Sequence, residues 1–294
     1  MTITETARHI TKELKTMYQE GEASTIAGWV LEYLTGKDQL EIASAKQTLL
    51  TTEQKEKLEP ILNRLLQQEP VQYVLNESWF CGLRFYVDKN VLIPRPETEE
   101  LVDWIITNCK FPVDELKILD IGSGSGCIPV TLKRRLKKAE VWSCDISKEA
   151  LAVAKKNTAA LGTDVNFIQL DFLNSAAWVQ LPPFDIIVSN PPYVPQKDKQ
   201  TMQPNVLNYE PATALFVPEN DPLIFYKAIA DFGKEKLTKR GMIYMEIHED
   251  IGKVVSKLFQ SNGYSTEIKK DMQGKERMVK AVLSLESGVV SREL

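Results

Sequence analysis

The chain has 294 residues, of which 43% are apolar and 26% are charged. These proportions are typical of a soluble globular protein and exclude the disordered and fibrous classes. A chain of this length predicts about two domains, at roughly 100 to 200 residues each. The 36 basic and 40 acidic side chains leave a formal net charge of −4, so the overall balance does not favour a polyanionic partner such as nucleic acid.

Cysteine and histidine usage offers little to a metal site or a disulfide framework. The cysteines have no CxxC spacing: they are Cys81, Cys109, Cys127 and Cys144, beside the histidines His9 and His248. We therefore expect reduced, structural thiols and no metal. The N-terminal segment lacks the apolar core of a signal peptide, and no segment approaches the roughly 20 apolar residues that span a bilayer. A cytoplasmic protein without a membrane partner is expected.

Residues 1–70 have a helical pattern. Apolar residues recur every three or four positions through Ile3, Ala7, Ile10, Leu14 and Met17, and again through Ile26, Trp29, Val30 and Leu34. A further helix is predicted to begin near Thr51, with Gln54 as its capping-box partner, and to end before Pro70. These helices predict a small N-terminal domain that either only stabilises the protein or also docks a partner.

A different pattern follows in residues 71–93, which are rich in β-branched and aromatic side chains and are interrupted by Gly82. This composition predicts a β-hairpin that links two domains. The second domain is predicted over residues 94–294 and opens with a helix that starts near Pro96.

Strands and helices alternate beyond residue 115. The predicted strands are KILDI (117–121), EVWSCD (140–145), VNFIQLD (165–171), FDIIVSN (184–190) and MIYMEI (242–247). One of the helices between them starts near Ser147 and ends at Gly162. The alternation predicts an α/β fold whose parallel sheet is covered on both faces. The tail, residues 264–284, predicts two antiparallel strands joined by a turn near Gly274.

A glycine-rich segment, DIGSGSGC, places Gly122, Gly124 and Gly126 between a predicted strand and a predicted helix. Glycines allow a sharp turn and a close approach of the backbone to a ligand, and ligands bind at the carboxyl ends of such strands. The spacing is GxGxG, whereas the dinucleotide fingerprint is GxGxxG, so the motif disfavours NAD.

Two acidic positions complete a predicted adenosine site. Asp145 ends the second strand of the alternating region, where its carboxylate can accept hydrogen bonds from both ribose hydroxyls. Asp171 ends the third strand and can accept from the adenine amino group, while Phe172 offers its backbone N–H and an apolar face to the ring. The alternatives are an acid at a helix N-terminus for Asp145, and a loop acid followed by a core aromatic residue at 171–172. A nucleoside site without a pyrophosphate cradle fits S-adenosylmethionine better than NAD.

The segment SNPPY (189–193) follows the fourth strand of that region. The side-chain oxygen of Asn190 and the backbone carbonyl of Pro191 can accept the two hydrogens of a planar NH2 group. Pro191 and Pro192 restrict the backbone that carries these acceptors, and Tyr193 can cover the planar face. The segment predicts a clamp for a planar NH2 group, and its alternative is a proline-rich turn without function.

Five segments together carry a family resemblance: IPRPETE (93–99), DIGSGSG (120–126), Asp145, NPPY (190–193) and YEPATALF (209–216). These segments follow a helical N-terminal domain in the chain, and the combination resembles the PrmC/HemK family of protein-glutamine methyltransferases. The resemblance implies a Rossmann-like class I methyltransferase domain, with a mostly parallel seven-stranded sheet and an antiparallel last strand. It also implies methyl transfer from S-adenosylmethionine to the glutamine of the Gly-Gly-Gln motif in class I peptide chain release factors. We predict separately that residues 1–70 dock that substrate.

Carried over by position, the resemblance implies roles for single residues. The methyl donor would contact Gly122, Ser123, Gly124, Ser125, Gly126, Asp145, Phe172 and Asn190. Asp171 is added to this donor site from its position alone, as argued above. The substrate glutamine would be held by Asn190, Pro191, Pro192 and Tyr193, with Asn190 as the catalytic residue. Glu246, which ends the fifth strand, is either a general base or a structural acid.

Three other functions stay open. NPPY also occurs in adenine-N6 methyltransferases, which would act on DNA or RNA, although the acidic balance and the lack of a basic recognition domain disfavour a nucleic-acid substrate. A binding module that has lost catalysis and an NAD oxidoreductase are the other two. The basic runs at 132–138 and 234–240 are interpreted as solvated helix ends rather than phosphate contacts.

Overall fold

The computed structural model describes residues 1–109 and 116–284, so the predicted domain of residues 94–294 includes two stretches outside the described residues. The chain divides into two compact units. The first comprises Met1–Glu77 and Met202–Tyr209, and the second comprises Ser78–Thr201 and Glu210–Leu294. Among the described residues, no helix combines the length and the apolar character that crossing a membrane requires.

The helices and strands are numbered in chain order. The helices are α1 (Ile3–Leu14), α2 (Glu20–Thr35), α3 (Gln39–Ser44), α4 (Thr52–Leu66), α5 (Val71–Leu75), α6 (Pro96–Asn108), α7 (Cys127–Arg135), α8 (Lys148–Ala160), α9 (Pro204–Tyr209), α10 (Ala212–Leu215), α11 (Ile224–Lys236) and α12 (Gly252–Ser261). The strands are β1 (Ser78–Phe80), β2 (Leu83–Phe85), β3 (Lys117–Ile121), β4 (Glu140–Asp145), β5 (Asn166–Gln169), β6 (Phe184–Ser189), β7 (Val194–Pro195), β8 (Phe216–Val217), β9 (Leu237–Glu246), β10 (Tyr264–Lys270) and β11 (Glu276–Leu283).

The first unit is helical, as the sequence predicts. Its core is formed by apolar side chains of α1, α2, α4 and α5, among them Ile10, Val30 and Leu65. The predicted capping box at the start of α4 is present: Thr51 Oγ1 accepts from the Gln54 N–H at 3.2 Å, and Gln54 Oε1 accepts from the Thr51 N–H at 2.9 Å. Met17, predicted to continue the apolar face of α1, lies beyond the end of that helix and is exposed.

Helix α5 belongs to the first unit because Arg64 joins it to α4. The Arg64 guanidinium donates to the backbone carbonyls of Tyr73 and Val74 at 3.1 and 3.0 Å. The predicted bridge of residues 71–93 therefore begins with a helix, and the first unit extends through Glu77.

The predicted hairpin is formed by β1 and β2, which pair antiparallel. Its turn contains Cys81 and Gly82, with φ of 50° and 73°. Two successive residues with positive φ are typical of the type I′ turn, whose twist matches that of the flanking strands. The rings of Phe80 and Phe85 meet edge to face at 6.1 Å and anchor the hairpin in an apolar core.

A seven-stranded sheet forms the centre of the second unit, in the order β10-β11-β9-β6-β3-β4-β5. β9, β6, β3, β4 and β5 pair in parallel, and β11 lies antiparallel between β9 and β10. This arrangement confirms the predicted mostly parallel seven-stranded sheet with an antiparallel last strand.

The strand order reverses at β3, because β4 and β5 extend the sheet to one side of it and β6 and β9 to the other. In open α/β sheets the crevice outside the carboxyl ends of the strands at such a point is where ligands bind. The segments DIGSGSGC and SNPPY start in the last residues of β3 and β6 respectively, so both lead into this crevice.

Each face of the sheet contributes to a separate apolar core, because successive side chains of a strand point to opposite faces. Leu119 and Ile187 belong to one core, whereas their chain neighbours Ile118 and Ile186 belong to the other. The near-continuous apolar runs of β3 and β6 follow from burial on both faces.

Several predicted bounds differ from the structure. β5 covers only Asn166–Gln169 of the predicted 165–171, and β9 begins at Leu237, before the predicted 242. The first half of β9 is polar and partly exposed, so it has no apolar pattern that would reveal a strand. The basic run at 234–240 consequently spans the end of α11 and the start of β9.

Candidate active site

A cavity of about 350 Å³ opens at the carboxyl edge of the sheet, within the size range of small-molecule sites. It brings together most of the residues predicted to bind the donor or the substrate. Those that line it are Gly122, Ser123, Gly124, Ser125, Asp145, Asp171, Phe172, Asn190, Pro191 and Pro192. Gly126 and Tyr193, also predicted, lie outside this lining.

The glycine turn forms one wall of the cavity. Gly122 and Gly124 have φ of 91° and 50°, in the left-handed region that favours glycine. A Cβ built on either residue would meet no atom within 4 Å, so these glycines leave open space at the wall. Gly126 differs: a Cβ there would lie 3.1 Å from the Ala154 Cβ, so Gly126 allows α7 and α8 to pack closely.

Asp145 connects the glycine turn to the end of β4. Its Oδ2 accepts from the Gly124 N–H at 3.0 Å and its Oδ1 accepts from the Ser147 N–H at 2.9 Å. Burial raises the pKa of Asp145, and these backbone hydrogen bonds oppose the rise. Each carboxylate oxygen keeps a further lone pair, so Asp145 retains the capacity to accept two ribose hydroxyls.

Asp171 and Phe172 have different surroundings. Asp171 is exposed, and its Oδ1 accepts from the Leu173 N–H at 3.0 Å. Phe172 is buried with Trp178 and Phe232, at ring-centroid distances of 5.6 and 5.2 Å, while it also lines the cavity. An aromatic cluster therefore fixes the Phe172 ring at the wall where the adenine contact is predicted.

Asn157, on α8, supports the wall that the glycine turn forms. Its Nδ2 donates to the backbone carbonyls of Ser125 and Tyr86, both at 2.8 Å, and its Oδ1 accepts from the Tyr86 N–H at 2.7 Å. Asn157 is 1% exposed. The sequence shows only an asparagine inside a helix, so no local signal identifies this role.

The NPPY segment also contributes to the lining of the cavity, through Asn190, Pro191 and Pro192. Asn190 Nδ2 donates to Thr98 Oγ1 at 3.1 Å, so the carbonyl oxygen of the same amide stays available as an acceptor. Tyr193 contacts Glu246 instead of the cavity, with its hydroxyl 3.4 Å from Glu246 Oε1. The predicted contact of Tyr193 with a substrate stays a prediction.

Glu246 is buried behind the NPPY segment, at the end of β9. Thr98 Oγ1 donates to its Oε2 at 2.6 Å. Burial raises the pKa of Glu246 to about 7, against the effects of the Thr98 hydrogen bond and of Arg277. Glu246 is buried and is not among the residues that line the cavity, which disfavours a role as general base.

Arg95 and Glu210 join the IPRPETE and YEPATALF segments. Arg95 Nη2 pairs with Glu210 Oε1 at 2.5 Å, and Glu210 Oε2 accepts from the Ile93 N–H at 3.2 Å. Ile93, Arg95 and the neighbouring Pro211 line the cavity. The IPRPETE and YEPATALF segments, which the sequence analysis identified only through the family resemblance, therefore form one wall of the site.

Comparisons with known proteins identify the domains of the chain. The family description "Methyltransferase small domain" matches residues 98–211, and "PrmC N-terminal domain" matches residues 5–75. A crystal structure of a methyltransferase from Pyrococcus furiosus has the same fold, with a TM-score of 0.51 at 15% identity, covering 80% of this chain and 100% of that one. Fold and site thus define an S-adenosylmethionine-dependent class I methyltransferase.

Relatives by sequence define the family more narrowly. A release factor glutamine methyltransferase from Flavobacterium psychrophilum is 42% identical over 91% of this chain and 94% of its own. The protein of the same name from Bacteroides thetaiotaomicron is 42% identical over 93% of this chain and 97% of its own. The chain belongs to the PrmC/HemK family of release factor glutamine methyltransferases.

Proposed function

We propose that this protein methylates the side-chain amide nitrogen of the glutamine in the Gly-Gly-Gln motif of class I peptide chain release factors. The names of its relatives support the substrate class. The observation that carries the proposal is the orientation of Asn190, whose amide nitrogen donates to Thr98. Its carbonyl oxygen is therefore directed to other donors, and a substrate NH2 group supplies such donors.

The chemistry requires positioning more than proton transfer. An amide nitrogen is a weak nucleophile, because its lone pair is delocalised into the carbonyl group. Asn190 Oδ1 and the Pro191 carbonyl accept the two N–H hydrogens and orient the nitrogen, and the prolines restrict the backbone that carries these acceptors. The protonated N-methyl amide that forms is a strong acid and loses its proton to water, so no buried base is needed.

The donor side of the cavity fits S-adenosylmethionine. Gly122 and Gly124 present backbone without side chains, and Asp145 keeps acceptor capacity for the ribose. When bound, the donor supplies a methyl group attached to a positively charged sulfur. The residues of the chain then bind the nucleoside and hold the substrate amide.

The first unit is proposed to dock the release factor. Helix α2 exposes Trp29 and Tyr33, which are four positions apart and 36% and 48% exposed. Residues at this spacing lie on the same helix face, and aromatic residues are enriched in protein interfaces. Because release factors act on ribosomes, we also propose that the protein works in the cytoplasm.

A labelling experiment tests the substrate class. The protein is incubated with methyl-labelled S-adenosylmethionine and, in separate reactions, a purified class I release factor, duplex DNA or ribosomal RNA. Label is expected only in the release factor. Label in the adenines of DNA or RNA, with an unlabelled release factor, would contradict the proposal and favour an adenine-N6 methyltransferase.

A further inference from the structure

A buried carboxylate connects to both ends of the NPPY segment. Glu246 is 2% exposed and Thr98 is 3% exposed. Thr98 Oγ1 lies 2.6 Å from Glu246 Oε2 and 3.1 Å from Asn190 Nδ2. The hydroxyl of Tyr193 approaches the other carboxylate oxygen at 3.4 Å. One acidic side chain thus contacts Tyr193 directly and Asn190 through a single hydroxyl.

The direction of these hydrogen bonds follows from counting protons. The Thr98 hydroxyl has one hydrogen. An ionised Glu246 can only accept, so Thr98 donates its hydrogen to the carboxylate and must itself accept from Asn190. Only the nitrogen of the Asn190 amide can donate. If the amide were reversed, its oxygen and the carboxylate would compete for one hydrogen, and one buried acceptor would stay unpaired.

We propose that Glu246, acting through Thr98, is a positioning residue that selects the orientation of Asn190 and thereby the preference of the site for an NH2 substrate. The inference rests on the proposed function of Asn190 as an acceptor. In the selected orientation the carbonyl oxygen of Asn190 faces the substrate. In the reversed orientation Asn190 would present an NH2 group, which suits an acceptor and repels the hydrogens of an amide or of an adenine amino group.

The protonation state of Glu246 controls this selection. Once protonated, the carboxyl group can donate to Thr98, which releases the Thr98 hydrogen and permits the reversed amide. The charged and titratable groups near Glu246 are Arg277 on β11, Glu97 on α6 and Tyr193 after β6, and the hydroxyl of Tyr226 on α11 donates to its backbone carbonyl at 3.0 Å. Because the pKa of Glu246 is raised to about 7, only the selected orientation is satisfied above that pH, and both orientations become possible as pH falls through it.

Substitutions at Thr98 test the connection. Thr98→Val removes the hydroxyl with little change in volume, and Thr98→Ser keeps it. We expect Thr98→Val to lower kcat for the release factor by about 10- to 100-fold, by analogy with the loss of a residue that orients a metal ligand, without a change in donor affinity. Thr98→Ser should retain most of the turnover. Equal turnover of Thr98→Val and wild type would overturn the proposal.

A second comparison separates positioning from a direct role of Thr98, which itself lines the cavity. In an Asn190→Ala background, Thr98→Val should cost nothing further, because the residue that it positions is absent. A full additional loss would show that Thr98 acts on the substrate by another route, and the proposal would fail.

A spectroscopic measurement does not depend on turnover. In donor-free protein, the side-chain amide resonances of Asn190 should shift as pH crosses the pKa of Glu246, and Glu246→Gln should abolish that shift. A shift that persists in Glu246→Gln would overturn the proposal. If the wild type shows the Glu246-dependent shift but does not methylate a release factor, the proposed function fails while the positioning network stands.

Discussion

Glu210 binds Arg95 across 115 positions of the chain, with 2.5 Å between the carboxylate and the guanidinium. The Glu210 side chain is 1% exposed, and its second oxygen holds the backbone N–H of Ile93. A fully buried acid thus fixes the loop that precedes α6, including two residues of the cavity wall.

Replacing this acid should affect both stability and binding. Glu210→Ala leaves the Arg95 guanidinium and the Ile93 N–H without their partner, so the free energy of unfolding should fall by about 1 to 3 kcal/mol. Donor affinity should fall too, because the wall loosens. Urea denaturation and calorimetry measure the two effects.

Glu267→Ala is the matched control: its ion pair with Lys280 involves a carboxylate that is 56% exposed, and its loss should cost no more than about 1 kcal/mol. Equal changes in the free energy of unfolding and in donor affinity for the two variants would contradict the role of Glu210 in fixing this loop.

Asp145→Asn should weaken donor binding by about 1.5 to 3 kcal/mol, the range for hydrogen bonds to a charged group. The asparagine keeps one acceptor for the backbone but loses the charge and half of the acceptor capacity. Calorimetric titration with S-adenosylmethionine measures the change. Asp164→Asn, at a carboxylate that is 88% exposed, should bind the donor as wild type does. An unchanged affinity in Asp145→Asn would remove Asp145 from the donor site.

Asn190→Ala should reduce turnover by about a hundredfold or more, comparable with the loss of one preorganised polar contact worth roughly 3 to 4 kcal/mol. The donor should still bind, because the glycine turn and Asp145 are unchanged. Single-turnover kinetics at saturating donor separate chemistry from binding. Asn166→Ala, on the exposed edge strand β5, serves as the control. Near-normal turnover in Asn190→Ala would place the acceptors elsewhere.

Gly126→Ala should destabilise the protein through two effects. The positive φ of 80° costs an alanine about 1 to 2 kcal/mol, and the new methyl group lies 3.1 Å from the Ala154 Cβ. Ala154→Gly removes the Cβ contact but keeps the approach to the Ala154 Cα at 3.2 Å, so the double variant should be somewhat more stable than the sum of the two single changes predicts. Denaturation of the wild type, the two single variants and the double variant gives the free energies of unfolding for this double-mutant cycle. Strict additivity would show that α7 and α8 are not in contact at this point.

Replacing both Trp29 and Tyr33 by alanine should raise KM for the release factor without changing donor affinity or the methylation of a short Gly-Gly-Gln peptide. The reason is that a peptide lacks the remote surface that the first unit is proposed to bind. Val254→Ala, at a side chain that is 51% exposed on α12, is the control for removing an exposed apolar group. Equal KM values in all three proteins would leave the first unit with a structural role alone.

Local signals predicted much of this architecture. The capping box at Thr51, the strands β3 and β4 with their bounds, and the turn at Gly274 depend on neighbouring residues, so the sequence reveals them directly. The site could be anticipated in the same way, because the glycine turn, Asp145 and NPPY all follow strands whose carboxyl ends meet at one edge.

The supporting residues could not be found in this way. Thr98 and Glu246 are 148 positions apart, and Asn157 reaches Ser125 from the middle of a helix. Such contacts depend on how helices pack on the sheet, and neither hydrophobic periodicity nor short motifs encode that packing. Apolar spacing also misplaced two element ends. It extended the face of α1 to Met17, although the helix ends at Leu14, and it missed the polar first half of β9.

The position of the transferred methyl group tests the central claim most directly. A release factor with its Gly-Gly-Gln motif, and a control in which that glutamine is replaced by glutamate, are incubated with the protein and S-adenosylmethionine and then digested for peptide mass mapping. We predict one methyl group on the glutamine side chain of the first factor and none on the control, because the acceptors of Asn190 and Pro191 require an NH2 group. Equal methylation of the control, or a methyl group at another residue of the first factor, would contradict the account.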